Sequence, residues 1–471
     1  MDIKLQKSHL NTNLLNFVEF PVRSLIFLLK KIKLSALFKQ HVKDPRSRVD
    51  KYDLVSLLMM GLFTHLFRSP SKNEFFQHLQ RSNHKSLAKL AGMQEDKLPC
   101  ARAIDDVFAK LNPEDLKLIL PEIFRFLYQQ KVFKLHPEFT SQGQFCVMID
   151  GEVNHVYHDE SQHPCRYCEY CLKRTRGDKV WYVHLNLVAS FVTPEGLQIP
   201  LLFHRVRARS ALHHTNDETW KQECERTAIP YILKDLRELF PRMPFCILLD
   251  ALYATDPCLT LLKQLNMGYS IVQKKTVLTT VGADCEGLKA LIEPVNHITV
   301  AEHFDVDQKI YFFNDVVYKG HDLSIIHLNE IQHKRPSKRF AKVKSKTSYW
   351  EWIVHQKLNK YNVVEVAKES RLRWKGEDLF NTLEERGFAI RHDFNRLPKA
   401  QSIRIYLILI AFALTSILKS SYLGQYIFAK KSIRFTMSQM LDDLIYLNYS
   451  DLFDCNYPIQ LRFGGKDPPQ K

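Results

Sequence analysis

The chain has 471 residues, of which 45% are apolar and 25% charged, a composition that excludes intrinsic disorder and allows a large hydrophobic core. It carries 67 basic against 51 acidic residues, a formal net charge of +16. This surplus favours a polyanionic partner, first DNA or RNA and then an anionic membrane. A basic enzyme without such a partner is the alternative that charge alone leaves open.

The sequence predicts neither a secretory signal nor a membrane-spanning segment. The first residues, MDIKLQKSHLNTN, do not place a basic stretch before an apolar one. The most apolar segment, residues 405–418, is shorter than the about 20 residues that cross a bilayer, so we expect a buried helix. The ten cysteines are scattered apart from one cluster, which indicates a reducing compartment.

Residues 1–140 are predicted to be helical throughout. Helices are expected at 14–41 and 52–67, then at 101–110 and 113–132, because apolar residues recur there at helical spacing. A basic helical region at the front of a polyanion-binding protein is a candidate DNA-binding region. No recognition helix can be singled out, however, and ordinary helical packing explains the pattern at least as well.

From residue 141 the pattern changes to strands alternating with helices. Two apolar runs end in an aspartate, FCVMID at Asp150 and FCILLD at Asp250. This order indicates an α/β domain with a mixed sheet. The other strands are predicted at 180–192, 197–206 and 269–274, and the helices at 217–240 and between Asp250 and residue 265.

Residues 275–352 are predicted to form short alternating strands that interrupt this order. They include a basic loop, residues 333–346, that holds seven lysines and arginines and no acidic residue. We expect the loop to lie along a DNA backbone, although charged runs are often solvated loops. The candidate DNA contacts in it are Lys334, Arg335, Lys338, Arg339, Lys342, Lys344 and Lys346.

Residues 362–387 are predicted to form one long helix. Asn362 is its expected N-cap, and Gly387 is expected to end it. On one face Arg373 and Glu377 lie one turn apart, either as a surface ion pair or as part of an acidic active site. A different face is apolar and is expected to meet a core, at Val364, Leu372, Leu379 and Leu383.

Three acidic residues, Asp150, Asp250 and Glu377, are candidate metal ligands, with the long helix bringing Glu377 over the strand ends. Ligands gather at strand ends in an open α/β sheet, and hard cations such as Mg²⁺ or Mn²⁺ take oxygen ligands. A pair of such ions supports phosphodiester displacement. The alternative for each aspartate is a cap on the turn or helix that follows it.

The order and surroundings of these acids resemble the DDE-class transposases of bacterial insertion sequences. The resemblance covers residues 145–392 and is to the branch that has a β-rich insertion between the second aspartate and the glutamate. The motifs that carry it are VMIDGE, KQECE at 221–225, ILLDALYAT, and RWKGEDLFNTLEERGF at 373–388.

The resemblance implies a ribonuclease H-like α/β fold and a DNA transposase that cuts and pastes its own element, with double-stranded DNA as substrate and target. Asp150, Asp250 and Glu377 would hold two Mg²⁺ or Mn²⁺ ions, and Arg373 would contact DNA phosphate. A homodimer would hold two element ends together, and the apolar C-terminal helix is one candidate interface. The expected location is the bacterial cytoplasm, at the nucleoid.

Three positions depart from the family pattern. Ser370 stands where a tyrosine is typical, and Glu384 stands where a lysine is typical. Asp150 is followed by Gly151 and Glu152, where a small hydroxyl residue is usual. A carboxylate in place of a phosphate-binding lysine weakens the expectation that this copy is active.

Lys375 and Arg386 are candidates to replace that lysine at the DNA. The departures leave two alternative functions open. One is a catalytically inactive, transposase-derived protein that only binds DNA. The other is a nuclease of the same fold that cuts DNA without strand transfer.

The cysteine cluster HPCRYCEYC is a candidate structural zinc site, and reduced free cysteines are the alternative. Two Cys-x₂-Cys steps that share a cysteine offer three thiolates, and a histidine would supply the fourth ligand. The thiolates are those of Cys165, Cys168 and Cys171, and the histidine is His163, with His158 and His184 as alternatives.

The sequence therefore divides into five regions. A helical, candidate DNA-binding region at 1–140 precedes the first part of a ribonuclease H-like domain at 141–274. A β-rich insertion with the basic loop follows at 275–352, and the catalytic helix completes the domain at 353–396. Residues 397–471 are expected to form C-terminal helices, at 397–422 and 435–447, and a tail.

Overall fold

A computed structural model describes most of the chain. The described residues are 17–47, 52–69, 71–80, 84–94, 98–157, 168–208, 224–274, 278–300, 304–334, 344–391, 397–429, 431–447, 452 and 463.

Ten strands form one mixed sheet. Their order is β4-β3-β1-β5-β6-β10-β9-β8-β7, and β2 pairs with the early part of β3. Strands β1, β5 and β6 are parallel, and the other pairings among the described strands are antiparallel. The strands are β1 Phe145–Tyr157, β2 Leu172–Arg176, β3 Lys179–Val192, β4 Gln198–Arg205, β5 Phe245–Leu249, β6 Gly268–Val272, β7 Val295–Val300, β8 Phe304–Tyr318, β9 His321–Lys334 and β10 Lys344–Val354.

The register of β1 and β5 brings the two aspartates to one level of the sheet. Met148 pairs in parallel with Leu248, so Asp150 and Asp250 each lie two residues beyond the last pair. The apolar runs before them are buried on both faces, as expected of central parallel strands. The prediction that the first strand ends at Asp150 is wrong, because β1 continues to Tyr157. In this last part it pairs, among the described strands, with β3 and no longer with β5.

The insertion extends the same sheet. Strand β10 pairs antiparallel with β6, and β9, β8 and β7 add to it in turn. A helix, α11 (Thr279–Lys289), precedes these strands and was not predicted. A second, smaller core lies under this part of the sheet and contains Trp352, which is 1% exposed. Trp350 stacks on Trp352 with 6.0 Å between ring centroids, so packing is the role of both rings.

The described part of the N-terminal region is helical, as predicted, but its helices are shorter than expected. Lys33 has a left-handed backbone that separates α1 from α2, and the expected helix at 113–132 is divided into a 3₁₀ turn, α7 and α8. The helices are α1 Pro21–Ile32, α2 Leu34–His41, α3 Leu54–Leu66, α4 Lys72–Gln80, α5 Lys85–Leu90, α6 Ala101–Phe108, α7 Ile119–Gln129 and α8 Val132–Leu135.

The remaining helices alternate with the strands and then close the chain. They are α9 Glu225–Leu239, α10 Asp256–Gln264, the α11 already described, α12 Val363–Arg371, α13 Lys375–Glu385, α14 Pro398–Ser420, α15 Gly424–Ile427 and α16 Ile433–Tyr446.

Helix α14 joins the N-terminal helices to the sheet. It packs against α3 and β4, and the large core includes residues from both regions. Gly61 on α3 closely approaches Phe108 on α6 and Leu407 on α14, so these three helices are tightly packed. The two regions therefore share one core and are not separately folded.

Helix α14 is buried, as expected for residues 405–418. The reason given, that the apolar segment is too short to cross a membrane, is wrong. The helix has 23 residues, so it is long and apolar enough to cross a membrane. Its most apolar stretch is completely buried inside the protein, as in a core helix. The same burial removes α14 as a candidate dimer interface.

The long helix expected at 362–387 is interrupted. A 3₁₀ turn at Leu372–Trp374 separates α12 from α13. Asn362 does not cap α12, because its side-chain oxygen accepts a hydrogen bond from the N–H of Asn359 instead. Gly387, with a φ of +93°, lies just beyond the end of α13 as predicted, since that left-handed conformation favours glycine.

Candidate active site

The guanidinium of Arg373 lies between the first aspartate and the glutamate. Its Nη1 atom is 3.3 Å from Oδ2 of Asp150, and its Nη2 atom is 3.5 Å from Oε1 of Glu377. Arg373 is only 8% exposed. An ion pair confined to the surface of the helix would not include Asp150, which is 223 positions away in the sequence.

The 3₁₀ turn and the glycine after it bring the helix onto the sheet. Arg373 lies in the turn, and Gly376 and Glu377 follow in the first turn of α13. A Cβ atom on Gly376 would lie 2.6 Å from Sδ of Met148 and 3.3 Å from Oδ2 of Asp150. The absence of a side chain at Gly376 therefore allows Glu377 to lie above the end of the paired part of β1.

Asp250 lies at the same level on the neighbouring strand. It follows β5 and precedes a 3₁₀ turn at Ala251–Tyr253, but its side chain makes no capping hydrogen bond to that turn. Its Oδ1 atom instead lies 3.5 Å from Nζ of Lys274. The capping alternative is therefore not observed for this aspartate.

Burial and neighbouring carboxylates raise the pKa values of Asp150 and Glu377. Burial raises the pKa of Asp150, Arg373 opposes the rise, and the negative charge of Asp250 adds to it. Burial also raises the pKa of Glu377, with Arg373 opposing and both aspartates adding to the rise. The repulsion between carboxylates therefore adds to the effect of burial at both residues.

Ser370, at the family's tyrosine position, has a structural partner. Its side chain is 1% exposed and lies 2.7 Å from the hydroxyl of Ser270 on β6. Its hydroxyl also approaches the carbonyl of Val366, at 2.8 Å. Little room is left for a tyrosine ring in this packing.

Glu152 and Glu384, the other two residues that depart from the family pattern, lie close to the same arginine. Arg391 donates to Oε1 of Glu152 at 2.7 Å and forms an ion pair with Glu384. Burial raises the pKa of Glu152 to about 7, and the nearby Glu384 adds to the rise. Arg391 therefore supplies a positive charge beside the position where the family has a lysine, a relationship that the sequence did not predict.

The predicted DNA contacts are only partly described. Lys334 on β9 pairs with Lys344 on β10. Both ends of the segment predicted to be a basic loop therefore lie in strands. Lys346 on β10 is exposed, and Lys375 in α13 lies 4.0 Å from Asp378. The other predicted contacts, Arg335, Lys338, Arg339 and Lys342, lie outside the described residues.

Three potential zinc ligands are buried together. Cys168, Cys171 and His184 each offer a ligand atom, and these atoms lie within 4.8 Å of one another. Cys171 Sγ is 2.9 Å from His184 Nε2. His184 lies on β3 and was predicted only as an alternative, because its distance along the chain gave no spacing signal. His158, His163 and Cys165 lie outside the described residues.

Arg205 affects which nitrogen of His184 is available. Its Nη2 atom lies 2.7 Å from His184 Nδ1, and a guanidinium can only donate. Nδ1 therefore accepts, and the hydrogen on Nε2 points to Cys171. A metal ion at Nε2 would require Arg205 to turn towards Gln401 and Ser402, which it already contacts.

Comparison with known proteins adds no family assignment. No protein-family model matches this chain, and no curated protein is significantly similar to it.

Proposed function

We propose that the chain is a DDE-type DNA transposase that cuts DNA at the ends of its element and joins those ends to a target. The observation that carries this proposal is the meeting of Asp150 and Glu377 at the guanidinium of Arg373, with Asp250 at the same level of the neighbouring strand. Residues from three distant parts of the sequence form this group.

A ribonuclease H-like fold is part of the proposal. Strands β1, β3 and β4 form an antiparallel meander, and β5 and β6 continue from β1 in parallel. This arrangement agrees with the expected fold. The antiparallel strands between β6 and α12 agree with a β-rich insertion between the second aspartate and the glutamate.

The carboxylates fit the two divalent cations that such a reaction uses. Mg²⁺ or Mn²⁺ held by Asp150, Asp250 and Glu377 would activate the attacking oxygen and stabilise the leaving oxygen. Arg373, released from the carboxylates, would grip a DNA phosphate with two parallel hydrogen bonds.

The proposed reaction consists of two displacements at phosphorus and needs no covalent protein intermediate. An oxygen of water forms a bond to phosphorus at the element end, the bond from phosphorus to the 3′ oxygen breaks, and a proton ends on that oxygen. The freed 3′-hydroxyl then attacks a second phosphodiester, in the opposite strand or in the target, and displaces another 3′-hydroxyl. Two copies of the chain would hold two ends of double-stranded DNA.

A structural Zn²⁺ is a separate part of the proposal. Two thiolates and an imidazole, from Cys168, Cys171 and His184, form a donor set that zinc prefers. The ion would fix the start of β2 to β3. The contact of Arg205 with His184 opposes this assignment, so the metal content of the purified protein decides it.

The test of the transposase proposal is Mn²⁺-dependent nicking of DNA that carries the inverted repeats flanking the coding region. The proposal predicts nicked and joined products, both lost in Glu377→Gln. Binding without cutting would indicate an inactive DNA-binding relative. Cutting without joined products would indicate a nuclease.

A further inference from the structure

A second group of potential metal ligands lies in the β-rich insertion. It consists of Glu286 on α11, His327 on β9 and Glu351 on β10, and one ligand atom of each lies within 4.8 Å of the other two. His327 and Glu351 are direct partners across β9 and β10, so the register of the sheet brings them together. Glu286 reaches them from the helix, with its Oε1 atom 3.7 Å from Nδ1 of His327.

The histidine of this group has a buried nitrogen atom that is not satisfied. His327 is 0% exposed, and its Nε2 atom has no hydrogen-bond partner among the described residues. Oε1 of Glu351 lies 3.7 Å from this atom, which is too far for a hydrogen bond. A polar atom that has lost water and gained no partner is unfavourable, so this nitrogen indicates a further binding group.

Tyr349 cannot satisfy all the acceptors around it. Its hydroxyl donates to Oε1 of Glu351, and it lies 3.3 Å from Oε1 of Glu286 and 3.2 Å from Nδ1 of His327. A phenol donates one hydrogen bond, so Nδ1 carries the imidazole hydrogen and donates to the phenol oxygen. Nε2 is then an acceptor that lies beside a carboxylate, which is also an acceptor.

A cation placed between these two acceptors would satisfy both. Two ligands of a tetrahedral zinc ion, each about 2.1 Å from the metal, are about 3.4 Å apart. The 3.7 Å between Nε2 of His327 and Oε1 of Glu351 is close to that separation. The group therefore has the donor atoms, and nearly the spacing, that a metal ion requires.

A proton or a lysine does not fill this role. Burial lowers the pKa of His327, Glu351 and Glu286 oppose the fall, and Lys289 adds to it, so the imidazole is neutral at pH 7. The ammonium of Lys289 lies 3.2 Å from Oε1 of Glu286. This contact leaves Nε2 of His327 without a partner among the described residues.

We propose that Glu286, His327 and Glu351 bind one divalent transition-metal ion. Zn²⁺ is the ion that we assign, because it accepts an imidazole nitrogen together with carboxylate oxygens. The ion joins α11 to β9 and β10 and so fixes the helix on these strands. The site shares no residue with the proposed catalytic centre or with the cysteine cluster, and it does not depend on the proposed function.

The test is equilibrium dialysis of the full purified chain against added Zn²⁺. We expect wild type to bind one more ion than Glu286→Gln, or to bind that ion at least about tenfold more tightly. The side chain of Glu286 is 58% exposed, so this variant should fold normally. Ions at the other proposed sites bind to both proteins alike, so the difference reports on this site alone.

Two more variants complete the dialysis experiment. His327→Ala should lose the same ion as Glu286→Gln. His297→Ala, which removes a histidine of β7 outside the group, is the control and should bind as many ions as wild type. Equal Zn²⁺ binding in wild type, Glu286→Gln and His327→Ala would overturn the inference.

Lys289→Gln separates a metal ligand from a merely structural glutamate. This change removes a positive charge beside Glu286, so it should tighten binding of the ion by about threefold or more. Weaker binding of that ion in Lys289→Gln would contradict the assignment. Nicking of DNA does not enter these measurements, so the inference and the transposase proposal can fail separately.

Discussion

The Nη1 atom of Arg373 lies 3.3 Å from Oδ2 of Asp150, so the arginine expected to hold DNA phosphate is held by a proposed metal ligand. The guanidinium contacts Glu377 as well, at 3.5 Å. We expect a cation that binds these carboxylates to displace it. Metal binding would then release Arg373 towards the DNA, which couples the two events.

This coupling predicts opposite effects of Arg373→Gln on metal and on DNA. Removing a positive charge close to the cations should strengthen Mn²⁺ binding without DNA by about 1 to 2 kcal/mol, or about tenfold. The same variant should nick DNA more slowly, because the phosphate loses a bidentate partner. Calorimetric Mn²⁺ titration and a nicking assay measure the two effects.

Arg386→Gln is the control, since it removes an exposed arginine just beyond the same helix. It should leave Mn²⁺ affinity unchanged. Equal or weaker Mn²⁺ binding in Arg373→Gln would show that the guanidinium does not compete with the metal.

A methyl group at Gly376 should disturb the centre directly. It would lie 2.6 Å from Sδ of Met148, which is fully buried, and 3.3 Å from Oδ2 of Asp150. We expect Gly376→Ala to lower the free energy of unfolding by about 1 to 3 kcal/mol and the nicking rate by about 10- to 100-fold. Chemical denaturation and the nicking assay measure these changes.

Gly287→Ala is the matched control, because Gly287 also lies in a helix and its Cβ atom would meet nothing within 4 Å. Its stability should be unchanged or slightly higher. If Gly376→Ala is as harmless as Gly287→Ala, α13 does not lie against β1 as described.

The pattern of apolar runs was enough to predict that Asp150 and Asp250 follow buried strands, and the structure places these strands side by side in parallel. Buried parallel strands read as continuous apolar segments, and their ends share one edge of the sheet. Glu377 could be added because it lies one turn from Arg373. Apolar runs and the one-turn spacing of two residues are local features, so they can be recognised in the sequence alone.

The contacts that the sequence did not predict depend on long-range packing. Ser370 and Ser270 are 100 positions apart, and Glu152 meets Arg391 across 239 positions. The 3₁₀ turn at Leu372–Trp374 contains no proline or glycine, so there was no sign of an interruption in the sequence and the helical pattern appeared continuous. Packing against the sheet, not local propensity, accounts for the interruption.

Stability should depend on pH through Asp443 in α16. Burial raises the pKa of this carboxyl from its ordinary value of 3.8 to about 6, and the backbone N–H of Val22 opposes the rise. A raised carboxyl pKa means that the folded chain holds the proton more tightly. The resulting contribution to stability is complete below pH 3.8 and is lost as the pH rises through 6.

Asp443→Asn imitates the protonated carboxyl at every pH. It should therefore raise Tm above that of wild type at pH 8, by about 1 to 3 °C because the group is partly exposed, and should not do so at pH 4. Asp442→Asn removes an exposed neighbouring charge that adds to the raised pKa of Asp443, so it should give a smaller rise in Tm at pH 8. A Tm difference that is the same at both pH values would contradict the assignment.

The zinc proposal predicts one Zn²⁺ per purified chain. Elemental analysis measures it, and a strong chelator should remove the ion and lower Tm. Cys171→Ser should lose the zinc because it removes a buried thiolate ligand. Cys100→Ser changes an exposed cysteine outside the cluster and should keep it. A wild-type chain without zinc would instead support a direct hydrogen bond from His184 to Cys171.

The decisive measurement for the transposase proposal is nicking of DNA that bears the element's own inverted repeats, in the presence of Mn²⁺. We expect a 3′-hydroxyl at the element end and joined products for wild type, with neither product from Glu377→Gln. A folded wild-type chain that binds this DNA but leaves every strand intact over a range of Mn²⁺ concentrations would contradict it.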